Sequence, residues 1–245
     1  MPDTDTHPHR VALVTGAGRG IGRAIAIALA REGFSLCIAA RTREELDETR
    51  RLSGLPNERA LIVLIDLTLE ESCEALFETT LDCFGRIDVL VNNAGWAPPR
   101  TPLVKMTSAD RDRVVALNLR APIALSQMAA TAMVEHGAGA IINIASMAAR
   151  HLPAGEAVYA ATKAGLIAFT HSAFAELGDR GIKLSVIVPG LVDTALIPHN
   201  KRLDRELMLS PEDVAAAVLE ILKSPARVCP VELVLQPQRR PERSK

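Results

Sequence analysis

Val11-Ala-Leu-Val-Thr15-Gly16-Ala-Gly18-Arg19-Gly20-Ile21-Gly22 is a short β-rich apolar run that ends in a cluster of glycines. An Ala/Ile/Leu-rich segment with helical spacing follows, to about Arg31. Strand, glycine turn and helix in that order present backbone N–H groups and a helix N-terminus to a phosphate. Glycine keeps the turn tight and lets a pyrophosphate come close, because no Cβ stands in the way. The spacing does not match the dinucleotide pattern G-x-G-x-x-G in any register. It is Thr15-Gly16-x-x-x-Gly20-x-Gly22 instead. A glycine cluster alone reads equally well as a plain turn, and the flanking strand and helix are what favour a phosphate site.

Outward from this stretch the chain repeats the order of strand, then helix. Residues 35–40 read as a second strand before a helix at about 44–51, and 61–65 as a third before a helix at 70–84. Residues 87–91 are a fourth strand. Residues 108–135 are helical in pattern with Pro122 inside, so a kink or break is expected near it. Residues 140–145 read as a fifth strand, 157–177 as a helix, 182–188 as a sixth strand and 231–235 as a seventh. Ser210-Pro211-Glu-Asp213 has the signature of a helix start, with Ser as N-cap and Pro in the first turn, for a helix to about Lys223. No linker, repeat or low-complexity segment intervenes. One domain is expected over 11–238, with a disordered or extended segment at 1–10 and a flexible basic tail at 239–245.

The strand tips carry the candidate chemistry. In dinucleotide-binding folds an acid after the second strand bonds the adenosine ribose, whereas an arginine there accommodates a 2′-phosphate. Ala40 stands at the place of the acid, Arg41 comes next, and Arg19 in the glycine turn is a second cation. With no carboxylate in competition, NADPH is favoured over NADH. The other reading is that Arg41 and Arg43 only solvate the next helix. Asp66, at the third tip, could accept a bond from an adenine amino group or cap the helix that follows. Asn92-Asn93-Ala94-Gly95 fits a ligand wall at the carboxyl edge of a parallel sheet. Asn118 lies one turn before Pro122, where it is either a water-binding amide or an ordinary polar helix residue.

Ser146 closes the fifth strand, and Tyr159-Ala-Ala-Thr-Lys163 opens the helix beyond it. Four apart, Tyr159 and Lys163 leave the same face of that helix. A phenol titrates near about 10, and a nearby ammonium lowers that value. Reaching roughly 7 takes about 4 kcal/mol of differential stabilisation, which Lys163 and a bound cation could share. Such a tyrosine exchanges a proton with an oxygen on a substrate carbon. The Ser146 hydroxyl could hold the same oxygen. Taken alone, Tyr-x-x-x-Lys is an ordinary helix face.

Composition narrows the classes. Hydrophobic residues make up 48% of 245, enough for a large core, and aromatics only 3%, too few for a base-stacking surface. A formal net charge of −1 offers no footprint for nucleic acid or an anionic membrane. Four scattered cysteines without a Cys-x-x-Cys pair read as reduced thiols, and no metal is expected. The first ten residues carry no apolar leader and no later run is long and apolar enough to span a bilayer, so a cytoplasmic protein is expected.

Thr15 to Gly22, Asp66, Asn92-Asn-Ala-Gly95, Asn118, Ser146, Tyr159-x-x-x-Lys163 and Pro189-Gly190 together resemble the short-chain dehydrogenase/reductase family, NADP-preferring type, over nearly the whole chain. The resemblance implies an α/β fold. This is a single-domain, three-layer α/β/α Rossmann-type doubly wound parallel sheet of seven strands, with the cofactor along its carboxyl edge. It implies that Asn118, Ser146, Tyr159 and Lys163 form a catalytic tetrad. Hydride would pass between nicotinamide and a carbonyl carbon while Tyr159 moves the proton and Ser146 holds the oxygen. Lys163 would bond the nicotinamide ribose and help lower the Tyr159 pKa, and Asn118 would anchor a relay water.

By the same resemblance, Gly16, Arg19, Gly20, Ile21 and Gly22 line the pyrophosphate and adenosine end, and Arg19 and Arg41 match the basic positions of NADP-preferring members. Asp66 and Leu67 would hold the adenine, and Asn93, Ala94 and Gly95 the adenosine ribose. Pro189, Gly190, Val192 and Thr194 would wrap the nicotinamide. NADP(H) is the favoured cofactor and NAD(H) the alternative. The substrate wall is expected from Trp96, Met147, His151 and Leu191 within the stretches 147–153 and 191–199, with Arg150 and His199 as further polar handles, although Arg150 and His151 read better as solvated loop residues. The substrate loop spans about 191–209. The chain lacks the glycine-rich ending of many members, and its Glu232 to Gln238 segment looks like members acting on small hydroxy acids and related alcohols. The expected activity is interconversion of a small-molecule carbonyl and alcohol by a homotetramer or homodimer. The competing readings are a 3-oxoacyl-thioester reductase, with Arg100, Lys105, Lys201 and Arg202 toward a carrier, and a non-catalytic NADP-binding sensor or scaffold.

Overall fold

Strands β1 (Val11–Thr15), β2 (Ser35–Ala40), β3 (Ala60–Leu64), β4 (Val89–Asn92), β5 (Gly139–Ile144), β6 (Ile182–Pro189) and β7 (Glu232–Leu235) form one parallel sheet. Their order is β3-β2-β1-β4-β5-β6-β7. The computed structural model describes residues 9–195, 197, 200 and 202–241. Every side chain of β1 is buried, because helices cover both faces of the sheet and the strand reads as a continuous apolar run. In register, Val14 lies between Ile38 on β2 and Val91 on β4.

Helices α1 (Gly20–Arg31), α2 (Arg43–Ser53) and α8 (Pro211–Lys223) supply Ile25, Leu29, Leu46, Val218 and Ile221 to one core layer, packed on Val14 and Ile38. On the other face, α3 (Glu70–Phe84), α4 (Ser108–Val115), α5 (Ala121–His136), the short α6 (Ala148–His151) and α7 (Ala157–Leu177) follow in chain order. There Leu76, Leu125 and Met133 pack on Leu13, Leu90 and Ile141. The strand order reverses between β1 and β4, which is where a doubly wound sheet opens a crevice for a ligand.

The expected helix over 108–135 is continuous rather than broken. Its discontinuity is a π-helical segment, Ala116–Arg120, in which the Ala121 N–H reaches the Ala116 carbonyl. Pro122 has no N–H for the carbonyl four residues back, and that residue is Asn118. The widened turn absorbs the defect, and Pro122 sits in the first turn of α5. At α8 the expected start is present as a capping box. Ser210 Oγ accepts the Asp213 N–H at 3.2 Å, and Asp213 Oδ2 accepts the Ser210 N–H at 2.7 Å.

The first and last described segments each make contacts with the domain. The Arg10 guanidinium lies 4.3 Å from the Phe34 ring centroid, and its carbonyl accepts the Ser35 N–H. Pro241 is buried, and its carbonyl accepts the Asp204 N–H at 2.8 Å. Residues 1–8 and 242–245 lie outside the described residues. Cys37 and Cys73 are core thiols, whereas Cys83 is exposed and Cys229 half-buried, and all four are free. Among the described residues no helix is long and apolar enough to cross a membrane.

Candidate active site

The crevice between β1 and β4 is stitched from both sides. Thr15 Oγ1 donates to the Val91 carbonyl and accepts the backbone N–H groups of Asn93 and Ala94, each at 3.0 Å. Asn93 Nδ2 donates to the carbonyls of Thr15 at 2.9 Å and Gly16 at 3.1 Å. The Asn93 amide, expected against the adenosine ribose, is therefore engaged in holding the glycine turn. A Cβ on Gly22 would sit 2.2 Å from the Gly16 carbonyl oxygen, and Gly16 itself has a φ of +64°. These two glycines are needed for the turn's own closure. Gly20 faces Thr194, whose Cγ2 would lie 3.2 Å from an added Cβ. The turn and the chain after β6 thus meet across the edge of the sheet.

The catalytic candidates converge next to this edge. Lys163 is buried, 5% exposed, and its Nζ donates to the Ile144 carbonyl at 2.8 Å. Desolvation pushes its pKa down to about 8. Its Nζ lies 5.9 Å from the Tyr159 ring centroid. Burial pushes the Tyr159 phenol up from its ordinary value, against a hydrogen bond with Ser146 that lowers it and the Glu156 charge that raises it. The expected lowering of this pKa by Lys163 is absent from the protein's own contribution. An ammonium 5.9 Å from the ring, engaged with a backbone carbonyl, does not outweigh burial of the phenol. Ser146 Oγ is oriented by the Ala148 N–H at 3.2 Å, at the start of the turn that α6 makes.

Asn118 is fully buried in the π segment. Its Nδ2 donates to the Trp96 carbonyl at 2.7 Å and its Oδ1 accepts the Trp96 N–H at 2.8 Å. The Asn118 side-chain amide thereby locks the chain just beyond Asn92-Asn-Ala-Gly95. A Cβ on Gly95 would lie 3.1 Å from Asn118 Oδ1 and 3.6 Å from Lys163 Nζ, so this bare glycine lets three segments meet.

At the end of the crevice expected to hold the adenosine, the two expected cations are each beside a carboxylate. Arg19 Nη1 is 3.3 Å from Glu45 Oε1, and Arg41 Nη1 is 4.0 Å from Asp66 Oδ2. Burial works against the Asp66 charge, but the Thr68 N–H and hydroxyl, with Arg41 and Arg113, hold its pKa below the usual range. Asp66 Oδ1 accepts the Thr68 N–H, and α3 is capped by Leu69, so Asp66 does not cap that helix. The side chain of Leu67, expected at the adenine, is buried in the core beneath. Ile21 packs half-buried on the α1 layer.

The segment after β6 is clamped at its base. Val192 pairs with Leu209, and the Leu191 carbonyl accepts the Leu209 N–H at 2.9 Å. Arg205 bonds the Asp193 carboxylate and donates to the carbonyls of Thr194 at 2.9 Å and Ile197 at 3.3 Å. The Pro189 carbonyl accepts the Met147 N–H at 2.9 Å, and a Cβ on Gly190 would lie 2.7 Å from Gln236 Oε1. His199 and Lys201 lie outside the described residues.

The expected substrate wall is redistributed. Met147 packs with Ala145, Val186 and Val188. Arg150 is drawn away to Glu232, which also bonds His171, and His151 is exposed. Trp96 is capped by the Arg113 guanidinium, 4.5 Å from its ring centroid. Beside Tyr159 lies a small cleft lined by Pro98, Thr101, Leu103, Met106, Glu156 and Val158, residues absent from the expected set. Arg100, one of the basic residues considered for a carrier surface, is bonded to Glu156 at 2.6 Å.

Sequence reasoning missed four supports: Arg205, Arg113, Arg23 and Thr49. Thr49 Oγ1 donates to the Ala17 carbonyl at 2.9 Å, and Arg23 donates to the carbonyls of Gly18 and Glu45. No motif marks them, because their partners, backbone carbonyls for three of them and the Trp96 ring for Arg113, are brought near only by the fold.

Residues 10–204 match the family model described as short chain dehydrogenase. An uncharacterized oxidoreductase of Staphylococcus aureus (strain USA300) is 33% identical over 228 residues, 93% of this chain and 97% of its own length. A metagenomic short-chain oxidoreductase, solved in complex with NADP, superimposes with a TM-score of 0.82 at 33% identity, over 94% of this chain and 98% of that one. The structure of levodione reductase superimposes with a TM-score of 0.84 at 29% identity, over 93% of this chain and 95% of that one. With its parallel sheet, its stitched glycine turn and these likenesses, the chain belongs to the short-chain dehydrogenase/reductase family and is an oxidoreductase of that family.

Proposed function

We propose that the protein interconverts a carbonyl and an alcohol with NADP(H), using Tyr159 as the acid/base group. The single observation that carries this reading is the phenol of Tyr159 one helical turn from the buried ammonium of Lys163, whose Nζ lies 5.9 Å from the phenol ring centroid. The residues fit the cofactor. Helix α1 has no acidic residue in its first turn and no side-chain cap among the described residues, so its N–H groups await an anion. Gly16, Arg19, Gly20, Ile21 and Gly22 would hold the pyrophosphate, Arg19 and Arg41 the 2′-phosphate, and Asp66 and the Leu67 backbone the adenine. Asn93, Ala94 and Gly95 would line the middle of the crevice, and Pro189, Gly190, Val192 and Thr194 the nicotinamide. The NADP complex of the metagenomic relative supports that choice of cofactor.

When bound, the cofactor supplies the hydride equivalent exchanged with the carbonyl carbon. The chain supplies the rest. Tyr159, whose pKa the protein raises, is a protonated phenol at neutral pH and donates that proton to the substrate oxygen in the reductive direction. Ser146 offers its hydroxyl to the same oxygen. Lys163 spends one of its three donors on Ile144 and has others for a ribose hydroxyl. Asn118 fixes the wall at Trp96 and so positions Gly95 beside Lys163. The likeness to levodione reductase supports a ketone as the carbonyl substrate.

In the Tyr159→Phe variant kcat is expected to fall at least about a hundredfold, with NADPH affinity retained. Calorimetry and cofactor-oxidation assays over a panel of ketones check both halves. Substantial turnover by the variant would remove Tyr159 from the acid/base role.

A further inference from the structure

Glu45 has no place in the expected cofactor site, yet its side chain lies across the glycine turn. A Cβ on Gly18 would meet Glu45 Cβ at 2.9 Å and Glu45 Oε2 at 3.0 Å, so the carboxylate folds back over the turn. Its other oxygen is 3.3 Å from Arg19 Nη1. Glu45 is half-buried, and its backbone carbonyl is held by Arg23, so the start of α2 is fixed against the turn. The Gly18 contact and the Arg19 pair are independent observations of one placement.

We propose that Glu45 sets the cofactor preference by competing with the 2′-phosphate for Arg19. This rests on the assignment of Arg19 to that phosphate. A carboxylate already paired with the guanidinium is an internal substitute for the phosphate, and NADPH must displace it. Two anions then share one small region, which disfavours the phosphorylated cofactor. Toward NADH the same carboxylate is an acceptor for a ribose hydroxyl, the role of an acid in dinucleotide folds that lack a 2′-phosphate. Ala40 leaves the usual place of that acid without a carboxylate, and Glu45 supplies one from the next helix. The protein is thereby tuned to accept both cofactors instead of excluding NADH.

Calorimetric titration of NADPH and NADH into the full-length protein, Glu45→Gln and Arg19→Ala tests this. The amide keeps the size of the side chain and leaves the carbonyl that holds Arg23 in place. Glu45→Gln is expected to raise the ratio of NADPH to NADH affinity by roughly fivefold, the scale of a half-exposed charge pair. Arg19→Ala is expected to weaken NADPH several-fold and NADH little. If Arg19→Ala weakens NADPH but Glu45→Gln leaves the ratio unchanged or lowers it, the role of Glu45 is wrong and the phosphate site stands. If Arg19→Ala leaves NADPH affinity intact, the phosphate is elsewhere and both assignments fall.

Discussion

Lys163 shows what a candidate catalytic residue demands of the fold around it. An ammonium in the core, bonded to one backbone carbonyl, destabilises the native state whenever it is charged. Its pKa is about 8 in the folded protein and 10.5 in the reference state. Between those values the unfolded chain binds the proton and the native state does not, so this group makes stability rise with pH across that window. Below about 8 the penalty is present in full, of order 3 kcal/mol. Lys163→Met is therefore expected to be more stable than the parent at pH 7, less what the bond to Ile144 contributed, and to lose turnover. Urea unfolding at pH 7 and pH 9 checks it. The buried thiols of Cys37 and Cys73, raised to about 12 and about 11, pull stability down above about 9 in both proteins, so the difference isolates Lys163. An identical pH slope in the two would rule the account out. Tyr159, raised by burial, contributes stability that is complete below about 10 and lost as pH rises through its folded pKa, outside that comparison.

Elements whose ends are decided by neighbouring residues were legible; those decided by tertiary partners were not. Ser210-Pro211-Glu-Asp213 announces α8 because every atom of its cap lies within four residues. Ser210→Ala is expected to lose about 1 kcal/mol of stability, with Ser210→Asn restoring most of it. Thermal unfolding measures both, and an unchanged midpoint in the alanine variant would count against the cap. Pro122 could be seen to disturb the long helix, but whether the chain breaks, kinks or widens depends on what surrounds it. Here Asn118 is tied to both backbone polar groups of Trp96, which favours a widened turn that keeps the amide aimed at β4. The basic tail looked frayed because nothing local holds it, and its anchor, the Asp204 N–H, is supplied by a distant segment.

At the scale of the whole molecule the order of strands and helices was readable, since a parallel sheet covered on both faces writes itself as unbroken apolar runs separated by helical stretches. The motifs that carry the catalytic candidates were readable as well: Ser146 just past β5, Tyr159 and Lys163 four apart on α7, and Asn118 ahead of Pro122. Their electrostatics were not. That Arg19 faces Glu45, that Arg41 faces Asp66 and that Arg113 lies over Trp96 are facts about distance between segments far apart in the chain. The last of these has an optical consequence. The chain has one tryptophan and one tyrosine, and both belong to the candidate site. Excited at the red edge where indole alone absorbs, the emission of all 245 residues is therefore that of Trp96, next to Gly95 and the lysine. NADPH absorbs where an indole emits, so its binding is expected to quench that light strongly by energy transfer, and a titration that leaves the emission unchanged would place the nicotinamide far from Trp96. The phenolate absorbance that grows in alkali is likewise that of Tyr159 alone, so the ionisation of the proposed acid can be followed in the unmodified protein as a difference spectrum, over a Trp96 background that does not titrate.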